Sequence, residues 1–131
     1  AAGKGYNVLS VGNMALDESL GDRCDDEIWA LSTYKNPYSD REKPDIVSPG
    51  ESHRVLNDVF GGTSCATAVT AGIAALLIEG APNLKSWPAA IRSVLLATTN
   101  YENGDGQIWE PNDDGWDGTG MTNAKYAYLT S

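Results

Sequence analysis

The fold is decided by the stretch FGGTSCATAVTAGIAALLIEG, residues 60–80. Small and apolar residues recur there at three- and four-residue steps from residue 63 to about residue 79, which predicts a helix buried nearly all round. Gly80 and Pro82 are expected to end that helix. Ser64 lies two residues after a double glycine, where the helix starts. It is either a helix cap or a residue placed there for chemistry.

Both interpretations of Ser64 have a physical basis. Serine is a favoured helix N-cap, and a glycine before the cap is common. A serine nucleophile needs an adjacent base and N–H donors for the oxyanion, and the first turn of a helix supplies one donor and a favourable dipole. Ala66 stands where a G-x-S-x-G nucleophile elbow has glycine, and no lysine follows Gly62 as it would in a phosphate loop. On local physics alone, the cap is the simpler interpretation.

The rest of the chain alternates short apolar runs with helical segments. Residues 6–11 and 43–50 predict strands, the first closed by Gly12 and the second bracketed by prolines. Ser86 is expected to cap a second helix running to about residue 98, and a last short helix starts near residue 123. The side chains expected to face inward from these two helices are Ile91, Val94 and Leu95, with Thr98 as a further candidate, and Ala124, Ala127 and Tyr128. This alternation predicts an α/β layered fold with a mostly parallel sheet.

Composition argues against several classes of function. The chain has 131 residues, a formal net charge of −9 and a pI near 4.3, whereas binding to nucleic-acid phosphates needs clustered Lys and Arg. No segment approaches the ~20 consecutive apolar residues of a membrane span. The chain opens AAGKGYN, with neither an initiator Met nor a signal-peptide pattern, so we expect a processed or trimmed product.

Metal and disulfide chemistry have few candidate residues. Cys24 and Cys65 are the only cysteines, and two cysteines with one histidine cannot complete the four-ligand set of a structural zinc. Free thiols are the simpler state of this pair, and a disulfide stays open. Six acidic residues between positions 14 and 27 and the run Asn103–Gly106 offer oxygen ligands for a structural calcium, but neither has the spacing of a calcium loop. An exposed loop and a hairpin turn around residues 107–109 are the simpler interpretations.

Several blocks together resemble the subtilisin-like serine proteases (subtilases, peptidase S8 family). Residues 62–72, GTSCATAVTAG, resemble the G-T-S-x-A-x-P-x-V-A-G serine motif of that family, and residues 43–50, KPDIVSPG, resemble its K-P-D-I-V-A-P-G block. Residues 7–12 resemble the strand that ends in V-G-A. Further blocks follow in the family order at residues 30–33, 87–95 and 118–127. The resemblance covers nearly the whole chain and implies that Ser64 is the motif serine.

The sequence also departs from the family pattern. Ala68 replaces the motif proline, and Thr70 replaces a common Val or His. The Asp motif, the H-G-T histidine motif and the Asn oxyanion donor, which the family carries before the V-G-A strand, have no counterpart here, and Lys4 stands where an A-A-G-N block would have its Asn. His53, the only histidine, is a candidate base eleven residues before Ser64. No H-G-T context surrounds it, and an exposed loop position is the simpler interpretation.

The resemblance implies a serine endopeptidase in which Ser64 attacks a peptide carbonyl, an upstream His takes its proton and an upstream Asp orients that His. Residues 1–131 are then the C-terminal half of a three-layer α/β catalytic domain, expected to be inactive alone. The expected partners are a polypeptide substrate and the missing N-terminal half, with no metal or organic cofactor and no nucleic acid. The family leans towards secretion, which the chain neither supports nor opposes. The alternative is a non-catalytic subtilase-like interaction module or pseudo-enzyme.

Overall fold

The computed structural model of the chain describes residues 5, 7–15, 27–28, 32, 43–51, 53–99 and 118–130. The strands in this part of the chain are β1 (Val11–Ala15), β2 (Glu27–Ile28), β3 (Ile46–Pro49), β4 (His53–Val55) and β5 (Asp58–Phe60). The α-helices are α1 (Thr63–Gly80), α2 (Pro88–Ala97) and α3 (Ala124–Thr130), and a short 3₁₀ helix (Pro82–Ser86) connects α1 to α2.

The sheet is built around β1. Its three strands have the order β2–β1–β3, and β2 is antiparallel to β1. β1 and β3 run parallel, with Val11 opposite Ile46, and Met121 adds a further parallel bridge to Val47. β4 and β5 form a separate antiparallel hairpin. Helices packed on a sheet with parallel strands confirm the predicted α/β class.

The first strand begins later than the sequence predicts. Residues 7–10 of the apolar run precede the strand. β1 starts at Val11 and continues to Ala15, so that residues 14 and 15 lie in a strand rather than in the predicted loop. Gly12 does not end the strand but lies within it. A Cβ there would come within 2.8 Å of the Pro44 Cγ and 3.0 Å of the Val47 Cγ1. The absence of a side chain at Gly12 therefore allows β1 to lie close to Pro44 and β3.

Two apolar clusters hold the described elements together. The larger one joins α1, the 3₁₀ helix, α2 and α3 through Ile73, Leu77, Leu84, Leu95 and Ala127. The smaller one lies on the sheet and contains Met14, Val47 and Met121. Burial of such side chains supplies the main favourable contribution to folding.

The predicted central helix is confirmed, since α1 runs from Thr63 to Gly80. Its buried residues, Ala66, Thr70, Ile73 and Leu77, recur at three- and four-residue steps. The prediction that this helix is buried nearly all round is wrong for the described structure, in which Leu76, for example, is 51% exposed. The sheet, α2 and α3 cover only one side of a helix that is apolar on every side.

The two later helices differ in detail from the prediction. Ser86 is the last residue of the 3₁₀ helix and caps nothing; Trp87 is the N-cap of α2, and Pro88 fixes its first turn. Leu95 is buried, with Ile91 and Val94 packed against the core, as predicted.

In α3, only one of the three side chains predicted to face inward is buried. That residue is Ala127, whereas Ala124 is exposed and Tyr128 is 56% exposed. The Tyr128 ring lies against the end of α1, where a Cβ on Gly80 would come within 2.6 Å of it.

Within the described ranges, α1 is long and apolar enough, by length and composition, to cross a membrane, with a mean hydropathy of 1.4 over 18 residues. This is weak evidence, because the core helix of a globular domain passes the same test. Cys24, the run Asn103–Gly106, the predicted hairpin at residues 107–109 and most of the acidic stretch lie outside the described residues.

Candidate active site

Ser64 is the second residue of α1, and its side chain is exposed. The N-cap of this helix is Gly62, and no side chain donates or accepts a capping hydrogen bond there. The interpretation of Ser64 as a helix cap is therefore wrong. Its hydroxyl is not used to hold the helix end and is open to solvent.

Gly62 sets the start of α1 through its unusual backbone. Its φ of 100° and ψ of −178° lie in a region that is essentially restricted to glycine. The Gly62 N–H donates to the Gly50 carbonyl at 2.7 Å, and the Gly62 carbonyl accepts from the N–H groups of Cys65 and Ala66 at 2.9 and 3.2 Å. The second glycine of the motif thus links the end of β3 to the first turn of the helix.

The end of β3 approaches that first turn very closely. A Cβ on Gly50 would overlap the side-chain oxygen of Asn13, and it would lie 2.6 Å from the Gly62 carbonyl oxygen and 3.0 Å from the Ala66 Cβ. Gly50 immediately follows β3, so this contact lies at the carboxyl ends of the parallel strands. In open α/β sheets, that edge is where sites usually form.

Asn13 is the functional candidate that sequence reasoning missed. It lies in β1 and is 0% exposed, and its amide nitrogen donates to a carboxylate oxygen of Glu51 at 2.9 Å. Its backbone N–H donates to the Ser32 hydroxyl at 3.2 Å, while its side-chain oxygen is buried and has no hydrogen-bond partner among the residues that the structure describes. The available signal was a polar residue, Asn13, where the V-G-A strand of the family has alanine.

A charged cluster lies at the opposite end of the same strands. Asp45, just before β3, accepts hydrogen bonds from the Lys43 ammonium at 2.6 Å, the Arg92 guanidinium at 3.1 Å and the Ser10 backbone N–H at 2.7 Å. Burial alone would raise the pKa of Asp45, but these hydrogen bonds and the two positive charges outweigh it and hold the pKa below its usual value. This cluster anchors β3 and α2 away from Ser64.

Two further sequence candidates, His53 and Cys65, lie in described elements. His53 lies in β4, where its backbone pairs with Phe60, so residues 53–60 form a hairpin and not the predicted polar loop. Cys65 is a free, half-buried thiol in the first turn of α1. Searched over the described residues alone, the structure has no group of three or more His, Cys, Asp or Glu side chains that could hold a metal.

An apolar groove of about 520 Å³ runs along α1. Its walls come from α1, α2 and the segment that leads into β1, and they include Leu9, Ala71, Ala74, Ile91 and Leu95. A helix that is apolar on every side is normally covered on every side. The groove therefore marks apolar surface of α1 that the described elements leave uncovered.

These features define a class: an α/β protein with an exposed serine in the first turn of a long helix, at the carboxyl ends of parallel strands. The family model of the subtilase family (peptidase S8) matches residues 2–126. The chain belongs to the subtilase family.

Known proteins agree with this assignment. The chain is 32% identical over 143 aligned positions to the serine protease AprX of Bacillus subtilis (strain 168). That alignment covers 94% of this chain and 30% of AprX. Two solved structures share the fold. The prenylagaramide maturation protease PagA matches with a TM-score of 0.62 and 24% identity over 97% of this chain and 43% of its own. The patellamide maturation protease PatA matches with a TM-score of 0.61 and 21% identity over 99% of this chain and 45% of its own.

The chain spans less than half the length of each of these relatives.

Proposed function

We propose that Ser64 is the nucleophile of a subtilisin-like serine endopeptidase. The observation that carries the proposal is the exposed hydroxyl of Ser64 in the first turn of α1, whose capping position is taken by Gly62. In this reaction the Ser64 oxygen forms a bond to a peptide carbonyl carbon while its proton passes to a histidine base. The tetrahedral intermediate then releases the amine as the base returns the proton, and water hydrolyses the acyl-enzyme.

The start of α1 supports the second requirement of acyl transfer, which is stabilisation of the oxyanion. The first N–H groups of a helix have no partner within the helix. Here Gly62 accepts from Cys65 and Ala66, and no hydrogen bond among the described residues uses the N–H of Ser64. That N–H is available to donate to the oxyanion, and the helix dipole favours negative charge at the same position.

We further propose that the base and its orienting carboxylate come from polypeptide outside these 131 residues. The resemblance implies an Asp, a His and an oxyanion Asn that precede the V-G-A strand, and none of those motifs is present in the sequence. The groove along α1 gives that additional polypeptide an apolar surface on which to pack. In this proposal the partners are a polypeptide substrate and the rest of the catalytic domain, and the hydrolysis uses no metal or organic cofactor.

The test compares peptide hydrolysis by a complete catalytic domain carrying the natural sequence with hydrolysis by two serine variants. Ser64→Ala removes the proposed nucleophile, and we expect kcat to fall by at least about 10⁴-fold. Ser93→Ala is the matched control, because Ser93 is also an exposed helical serine, and among the described residues its hydroxyl bonds to the Ala89 carbonyl of its own helix alone. Its activity is expected to stay within about twofold of wild type.

Retained activity in Ser64→Ala would contradict the proposal. If neither the wild-type domain nor the variant hydrolyses peptides, while both bind the same polypeptide equally well, the chain is the non-catalytic interaction module instead. The 131-residue chain alone is expected to be inactive in this assay, because its sequence lacks the Asp and H-G-T histidine motifs that the resemblance assigns to the base and its orienting carboxylate.

A further inference from the structure

We propose that Asn13 and Glu51 form a positioning pair that fixes the first turn of α1 and thereby Ser64. The inference rests on the proposed role of Ser64 as nucleophile and adds two residues to that site. Neither residue is proposed to touch the substrate. They act through the turn that follows β3.

The pair joins the centre of the sheet to that turn. Asn13 is completely buried in β1, and its amide nitrogen reaches the Glu51 carboxylate at 2.9 Å. A buried amide costs free energy unless it is hydrogen-bonded, so this bond is what makes Asn13 tolerable at a fully buried position.

A second bond holds the same turn to the same strand. The N–H of Gly50 donates to the Met14 carbonyl at 3.3 Å, so neighbouring residues of β1 hold neighbouring residues of the turn. On its other side, the Gly50 carbonyl accepts from the Gly62 N–H at 2.7 Å. The path from Asn13 to the start of α1 therefore runs through Glu51, Gly50 and Gly62, with Ser64 two residues further on.

The space occupied by the amide points to the same role. A Cβ on residue 50 would overlap the Asn13 side-chain oxygen, so Gly50 and Asn13 fit together only because residue 50 is glycine. Within the described part of the chain that oxygen has no hydrogen-bond partner, and alanine at position 13 would avoid the free-energy cost of burying it. Any contribution of the Asn13 side chain to the order of the turn must then come from the hydrogen bond that its amide nitrogen donates to Glu51.

The test measures the order of the first turn directly, without relying on catalysis. Hydrogen exchange followed by mass spectrometry on the complete protein compares a peptide covering residues 61–66 with one covering residues 70–80. In Asn13→Ala and Glu51→Ala, we expect exchange in residues 61–66 to be about tenfold faster and exchange in residues 70–80 to be unchanged. Glu51 is only partly buried, so its variants are expected to fold even if Asn13→Ala does not.

Glu51→Gln is the matched control, because its side-chain oxygen still accepts from the Asn13 nitrogen. We expect exchange close to wild type in Glu51→Gln, and the double variant Asn13→Ala/Glu51→Ala is expected to be no faster than either single variant. Unchanged exchange at residues 61–66 in Glu51→Ala, or equally faster exchange along all of α1, would overturn the positioning role.

Kinetics of the complete catalytic domain give the second readout. Asn13→Ala and Glu51→Ala are expected to lower kcat about tenfold with little change in KM, and Glu51→Gln is expected to restore kcat to within about twofold of wild type. A change confined to KM would also overturn the inference. If Ser64→Ala retains activity but the exchange results hold, the proposed function fails while the structural coupling stands, so the two outcomes can be told apart.

Discussion

Asp45 and Arg92 are 47 residues apart in the chain and form an ion pair of 3.1 Å that ties the start of β3 to α2. The other carboxylate oxygen of Asp45 bonds to Lys43 at 2.6 Å and to the Ser10 N–H at 2.7 Å. One carboxylate therefore joins the segment before β1, the segment before β3 and the second helix. Because Ser64 lies at the other end of the strands, this cluster supports the site without being part of it.

Replacing the carboxylate of Asp45 should destabilise the chain strongly. In Asp45→Asn the Lys43 ammonium, whose side chain is 5% exposed, loses its buried counter-charge. An unpaired buried charge of this kind typically costs about 3–5 kcal/mol, which urea denaturation measures as a loss in the free energy of unfolding. Asp58→Asn on the exposed face of β5 is the control and should change that free energy by less than about 0.5 kcal/mol.

A double variant identifies the cause of that loss. Lys43→Met combined with Asp45→Asn removes the ammonium group that Asp45→Asn leaves buried without a counter-charge. The double variant should therefore be more stable than Asp45→Asn alone. A double variant that is less stable than the single one would show that Asp45 matters through its other bonds.

The same cluster predicts how stability depends on pH. The pKa of Asp45 is depressed in the folded state, so the folded chain binds its proton less readily than the unfolded chain, whose aspartates titrate near pH ~3.9. The stabilisation from Asp45 should be fully present above about pH 5 and should be lost as pH falls through the folded-state pKa. The measurement is the difference in unfolding free energy between wild type and Asp45→Asn as a function of pH. A difference that stays constant below pH ~4 would contradict this origin of the stabilisation.

The two motif glycines should respond differently to alanine. Gly62 has a φ of 100° that alanine adopts only at a cost of about 1–3 kcal/mol, whereas the positive-φ glycines of the described chain do not include Gly61. Gly62→Ala should therefore destabilise the chain and lower peptidase activity in a complete catalytic domain, and Gly61→Ala should do so much less. Thermal unfolding and kcat measured on both variants test this, and equal effects would show that the backbone of Gly62 does not set the start of α1.

The sequence predicted the elements whose signals are local. The three- and four-residue recurrence from Ala66 to Leu77 is contained within one helix, so α1 was predicted almost to its last residue. The double glycine likewise marked the start of the helix, in which Ser64 is the second residue. The cap of α2 was misassigned because Ser86 is a favoured cap residue, yet the backbone of Trp87 takes that position before Pro88.

The features that the sequence did not predict depend on contacts between distant parts of the chain. β1 starts at Val11 because its parallel partner begins at Ile46, and no local pattern carries that register. The burial of Asn13 depends on the missing Cβ of Gly50, 37 positions later, so its role could not be predicted from the sequence around it. The exposure of α1 was also missed. Apolar periodicity shows which side chains are suited to burial, but it does not show how much of the helix the other segments of the chain bury.

The groove along α1 should make the 131-residue chain associate when it is studied alone. Exposed apolar surface of this kind binds hydrophobic dyes and drives self-association. Ala71→Glu places a charge in the groove and should reduce the fluorescence of a bound dye by about half or more, whereas Ala124→Glu, exposed on α3 away from the groove, should not. A chain that light scattering shows to be monomeric, with no dye binding, would contradict this use of the groove.

The central claim is tested most directly by labelling with a fluorophosphonate probe, followed by mass spectrometry to locate the modified residue. The prediction is that a complete catalytic domain is labelled on Ser64, that Ser93→Ala is labelled equally, and that Ser64→Ala and the 131-residue chain alone are not labelled. Labelling at another residue would contradict the assignment of Ser64 as nucleophile. Efficient labelling of the chain alone would place the base within these residues and return His53 to consideration.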